Sequence, residues 1–254
     1  MIARLLLTAA LLVGGTAHAY ELLRVNNDPC SNAQNLFWSA KSVSVSVLAL
    51  PAPYSGLAVE AWQRWNASAA RFRFSAGNGP PCTRDGVAAI AIADQPCDQS
   101  DFGDALAITR STWNGDGSLV DADVTFRSGT FLMDDDDRFR QVAMHELGHV
   151  LGLAHSDACG KSGAGTLMQA VLSGPLLLAP QPDDIAGANA IYPSGSGGGD
   201  GSVPPGANSC AITPSGGGDA VAPPLAALLP LLLWRRLRRR SGWGAGIDGP
   251  ANLL

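Results

Sequence analysis

Histidine is scarce in this chain, four residues in 254, so chemistry that needs imidazole can be built in very few places. Basic charge is short as well. The 17 Lys and Arg face 22 Asp and Glu, and a net charge of −5 is a poor footprint for gripping phosphate backbones, which argues against nucleic acid as a partner. Long hydrophobic runs are lacking too. The N-terminal run, Leu5 to Val13, is too short to span a bilayer as a helix, and the C-terminal run, Ala220 to Trp234, is broken by Pro223, Pro224 and Pro230. There is no internal repeat. In excess are 30 Gly and 17 Pro, so part of the length is linker rather than core. The remainder, with 46% hydrophobic and 15% charged residues, has the balance of a globular chain and excludes wholesale disorder.

Both ends read as addresses. Arg4, the apolar run and Ala17-His18-Ala19 make a secretory signal peptide over residues 1–19, expected to be cut after Ala19. Export permits disulfides. Residues 194–219 are rich in Gly, Pro and Ser, carry Cys210, and are expected to act as a flexible tether. In residues 220–254 the apolar run precedes Arg235, Arg236, Arg238, Arg239 and Arg240, a cluster that the positive-inside bias would keep cytoplasmic, as in a sorting or anchor tail.

Residues 20–193, with 11 basic and 19 acidic side chains, are long enough for one domain with its own core. Cys30, Cys82, Cys97 and Cys159 suggest two disulfides, with three connectivities open. The short, Pro-bounded loop between Cys82 and Cys97 favours that pair. Cys210 is the odd one. The run Asp134 to Asp137 has the oxygen donors that a calcium ion takes, but reads first as a helix start or a solvated loop.

Strict Ser/Val alternation within Lys41 to Leu50 predicts a half-buried strand. Leu57, Ala61, Trp62 and Trp65 recur at helical spacing, which predicts an amphipathic helix over Pro53 to Ala70, with both tryptophans in the core. Further strands are expected at Arg71 to Phe74, Val87 to Ala93, Asp104 to Thr109 and Asp121 to Arg127.

Chemistry concentrates in His145-Glu146-Leu147-Gly148-His149, followed by Gly152 and His155. On a helix His145 and His149 lie one turn apart on the same face and can reach one metal ion. Gly152 can take the positive φ that ends the helix, so that His155 returns to the metal from another direction. Three neutral imidazoles leave a tetrahedral Zn2+ one open position for water, and Glu146 beside it is placed to act as general base and then acid in hydrolysis of an acyl bond. From this chain's own composition such a pattern arises by chance on the order of once in a million, so the reading as ordinary core histidines loses.

This stretch resembles the metzincins and, through Ser156 after the third His, the matrixins (matrix-metalloproteinase-like catalytic domains). Thr166-Leu167-Met168 is similar to the family's Met-turn, which floors the zinc site at Met168. Asp183-Asp184-Ile185-Ala186-Gly187 is similar to its closing helix, whose acidic pair helps hold that turn. Asp104-Ala105-Leu106-Ala107 occupies the place of the edge strand along which an extended peptide lies antiparallel, so Leu106 and Ala107 are the expected substrate-binding residues. The resemblance implies an α+β fold: a twisted, mostly parallel sheet of about five strands with an antiparallel edge strand, an active-site helix and a C-terminal helix. Two departures stand out. Gln169 replaces the Tyr common after the Met, and with His18 removed no histidine remains for the structural zinc site of the animal enzymes. Cys210 with its apolar segment and arginines resembles the C-terminal sorting tails of Gram-negative, particularly myxobacterial, surface proteins, though this chain continues past the arginines to Leu254.

The expectation is therefore an exported, monomeric zinc endopeptidase acting on extended peptide or protein substrates, held at the cell envelope by its tail or released on processing. The competing expectation is a surface-anchored binding protein with a metzincin fold and an idle site. Pseudo-enzymes usually lose the base or a ligand, and here Glu146 and all three histidines are present.

Overall fold

Alternating Ser and Val do form a strand, β2 (Ser42–Ala49), with Val43 and Val45 buried. It follows a short β1 (Glu21–Leu22) in a computed structural model that describes residues 18–172, 174–194 and 252–253. All of them belong to the first of the chain's two units, Met1–Ser194 with Gly249–Leu254. Helix α1 (Tyr54–Ala67) buries Leu57, Ala58, Ala61, Trp62 and Trp65. The indole N–H of Trp65 donates to the Met144 carbonyl at 2.8 Å, so a fully buried aromatic also satisfies its polar atom.

The sheet continues with β3 (Arg73–Ala76), β4 (Val87–Ala93), β5 (Ala107–Trp113) and β6 (Leu119–Arg127), in the order β3-β2-β4-β6-β5. The first four strands in that order are parallel, and β5 is antiparallel to β6. Beyond β5 a two-residue β8 (Asn252–Leu253) pairs antiparallel with Ile108 and Thr109. The expected α+β architecture is the one observed. Two strands start later than alternation alone suggests. Gly103, at φ +56°, and the Ala105 N–H to Phe102 carbonyl bond make a turn of the segment expected to open β5. The Arg71 N–H donates to Asn189 Oδ1 instead of a strand, so β3 begins at Arg73.

The two faces of β6 differ. Ala122, Val124 and Phe126 face the helices, with Phe126 stacked 4.4 Å from Phe139. On the other face Asp123 accepts from the Ala89 N–H at 2.8 Å and the Thr83 N–H at 3.2 Å, and Asp121 accepts from the Gly86 N–H at 3.1 Å. These bonds organise the loop closed by Cys82–Cys97, the favoured disulfide.

Helix α2 (Asp136–Leu151) is buried at every position from Gln141 onward. The aspartate run is a helix start, as its first reading had it: Asp135 caps the Arg138 N–H, and Asp136 and Asp137 sit in the first turn, where carboxylates favour the dipole. Gly152 ends the helix at φ +114°, where any Cβ would lie 3.0 Å from the Leu36 carbonyl oxygen. The chain then enters β7 (Leu153–Ala154), antiparallel to β1, and the second disulfide, Cys30–Cys159, ties the same regions together. Helix α3 (Pro182–Ile191) closes the domain, with the Tyr192 hydroxyl donating to the Leu151 carbonyl. Residues 1–17, Cys210, the apolar segment and the arginine cluster lie outside the described residues. Among the described residues no helix is long and apolar enough to cross a membrane.

Candidate active site

His145 and His149 project from one face of α2, and the turn at Gly152 brings His155 to meet them. Each ring of the helical pair is fixed from behind. His145 Nδ1 lies 2.8 Å from the Leu167 carbonyl and His149 Nδ1 lies 2.8 Å from the Leu153 carbonyl. A carbonyl can only accept, so both Nδ1 atoms carry the proton and both Nε2 atoms present lone pairs. Those two lone pairs face each other at 3.0 Å, and His155 Nε2 is 3.2 Å from that of His149. Such a cluster repels itself unless a cation sits within it, and tetrahedral zinc with bonds of ~2.1 Å requires ligand spacings of roughly 3.4 Å. The donor set fits the metal. Burial lowers the basicity of all three rings, His145 to about 3, and so keeps them neutral and ready to ligate.

Glu146 is fully buried. The Thr109 hydroxyl donates to its Oε2, while its Oε1 has no partner among the described residues. A buried carboxylate oxygen without a partner, on the residue that follows the first of three convergent imidazoles, is the second observation that fits a metal and its water. Burial pushes the carboxyl up to about 8, with the Thr109 bond pulling the other way, and a bound divalent cation would also favour the ionised form.

On the same helix as two of the imidazoles, Gly148 packs against the sulfur of the buried Met168. A Cβ at that glycine would come within 2.2 Å of Sδ, so His145-Glu146-Leu147-Gly148-His149 needs its glycine for packing. Asp184 at the start of α3 accepts from the Leu167 N–H at 2.9 Å and the Met168 N–H at 3.2 Å. The carboxylate thus holds the turn whose Leu167 carbonyl holds His145.

A family model described as Matrixin matches residues 57–193, more than half of the chain, and spans every residue of this site. The chain belongs to the matrixin family. Membership implies a zinc-dependent peptidase, a metalloprotease in general terms. No curated protein matches the chain. Among solved structures, the GM1 bound form of the ECX AB5 holotoxin is similar at a TM-score of 0.46 and 13% identity, over 68% of this chain and 88% of that one, too distant a likeness to bear on function.

In this matrixin the two nominated substrate-binding residues are not equivalent. The Leu106 carbonyl accepts from the Arg127 N–H at 2.9 Å and is committed to β6. Main-chain groups alternate in direction along an antiparallel strand, so Ala107 and Thr109 turn theirs to the outer edge. Thr109 escaped the sequence reading although the alternation from Ala107 points to it. Its side chain faces α2 while its backbone faces outward, so it joins the general-base candidate to the edge. A cavity of about 250 Å³ opens beside His145. Its walls are mainly apolar, from Val142, Leu167, Val171, Leu172 and Leu177, and Gln169, the departure noted in the sequence, lines it too.

Proposed function

We propose that this matrixin is an exported zinc endopeptidase in which His145, His149 and His155 hold the metal and Glu146 moves the proton. The observation that carries the reading is the coincidence of fixed, lone-pair-bearing imidazoles with the unpartnered Glu146 Oε1. A zinc ion in that donor set would supply Lewis acidity, lowering the pKa of a water towards neutrality and polarising a peptide carbonyl. Glu146 Oε1 is placed to take the proton of the attacking water and return it to the departing amine as the C–N bond breaks. Thr109 keeps the other oxygen occupied, so one defined oxygen is left for the transfer. The outward main-chain groups of Ala107 and Thr109 offer an extended peptide antiparallel hydrogen bonds. The pairing of Asn252–Leu253 with that edge supports this mode, since a stretch of ordinary backbone adopts it there.

The two disulfides support an oxidising destination. The tail is read as the attachment to the envelope, and the domain as a monomer. The test is cleavage of a peptide library by the purified full-length chain, with chelator and with zinc restored. Cleavage lost to chelator and recovered with zinc is expected. Stoichiometric zinc without cleavage of any peptide would replace this reading with the idle binding protein. Mass spectrometry of the mature protein tests the ends, and an intact peptide through Leu254 would contradict tail processing.

A further inference from the structure

One group at the site is used neither by the metal ligands nor by the proton transfer. Gln141 lies one turn before His145, on the same face of α2, and lines the cavity beside that histidine. It is 95% buried, with a relative exposure of 5%. Its Oε1 accepts from Arg138 Nη1 at 3.0 Å. A guanidinium can only donate, so this contact fixes which end of the carboxamide is engaged: the oxygen meets Arg138, which does not line the cavity, and the NH2 is the end left without that partner. No described residue accepts from that NH2. The remaining walls are apolar apart from Gln169 and Thr166, and the Thr166 hydroxyl is already donating to the Gly163 carbonyl at 2.7 Å.

We propose that Gln141 is a specificity-determining residue. The cavity beside His145 takes a substrate side chain flanking the scissile bond, one with an unbranched aliphatic stem and a hydrogen-bond acceptor at its tip, that is, Gln or Glu. This rests on the endopeptidase reading above and deepens it. At about 250 Å³ the cavity holds one side chain rather than a drug-sized molecule. The stem of Gln or Glu runs between Val142, Leu167 and Leu172, and the tip accepts from the Gln141 NH2. Leu leaves that donor desolvated and unpaired, and Asp and Asn are too short to reach it. A site built around a buried polar group discriminates against analogues lacking its partner more sharply than an apolar pocket discriminates by size.

The experiment compares kcat/KM for peptides that differ only at the two residues flanking the scissile bond, each scanned through Leu, Met, Gln, Glu and Asn, with the zinc-loaded full chain. At one of the two positions Gln and Glu should exceed Leu and Met by about tenfold. Q141L should reverse that order. Q141E keeps a partner for Arg138 and so guards against a merely misfolded variant. It should reject Glu and still take Gln, whose own NH2 can donate to the new carboxylate. Cleavage that favours Leu or Met at both positions, or a profile unchanged in Q141L and Q141E, overturns this proposal and leaves the endopeptidase intact. If the wild-type chain cuts no peptide, the endopeptidase reading falls, and this proposal with it.

Discussion

Two groups of buried polar side chains sit on opposite faces of the same sheet, and they are buried to the same degree for different ends. On the helix side, His145, His149 and Glu146 each have one polar atom held and another without a complementary partner, and the Nε2 atoms of the two histidines converge with that of His155. On the loop side, Asp121 and Asp123 accept from backbone N–H groups of the 82–89 segment and hold it in place. Burial alone would nominate both. What separates a reaction site from a structural one is which atoms remain without a partner.

That contrast is breakable from either side. The largest effect should come from His149→Ala, which removes one of the three proposed ligands. The zinc content of the purified variant, read by elemental analysis, should drop well below one per chain, and hydrolysis should fall by a factor on the order of 10³ or more. Full zinc occupancy in this variant would mean that the convergence is not the metal site. An intermediate effect is expected of Asp184→Ala. It frees the Leu167 and Met168 N–H groups and so loosens the carbonyl behind His145, and zinc affinity, measured by competition with a chelator, should weaken by about 10- to 100-fold.

The smallest effect lies on the structural side. Burial is the leading cause of the raised pKa values of Asp121, to about 7, and Asp123, to about 6. Each carboxyl therefore binds its proton more tightly folded than unfolded. The stabilisation is complete below the unfolded value near 3.8 and is lost as the pH rises through the folded value, so these groups make stability decline between about pH 4 and pH 7. Thermal melts across that range should show the decline, and Asp121→Asn, which cannot ionise, should flatten it while leaving zinc content unchanged.

Much of the helix side is legible in sequence because its determinants are local. His145, His149, Gly152 and His155 lie within eleven residues, and helical periodicity with one positive-φ glycine suffices to assemble them. Thr109 is 37 residues from Glu146, and only the register of β5 on β6 brings it beneath the helix. The Cys30–Cys159 pairing spans 129 residues and depends on β1 meeting β7, a two-residue contact that no periodicity announces. The onset of β5 departs from the alternation for a different reason: alternation ignores turns, and Gly103 makes one. Gln141 is not legible in sequence because a polar residue on a helix carries no sign of the burial it has in the fold.

The central claim is that Glu146 moves the proton in a site whose metal is held by other residues. Glu146→Ala, assayed for bound zinc and for peptide hydrolysis on the same sample, tests it most directly. One zinc per chain with hydrolysis reduced by a factor on the order of 10³ is the predicted result. Undiminished hydrolysis with zinc in place would contradict it.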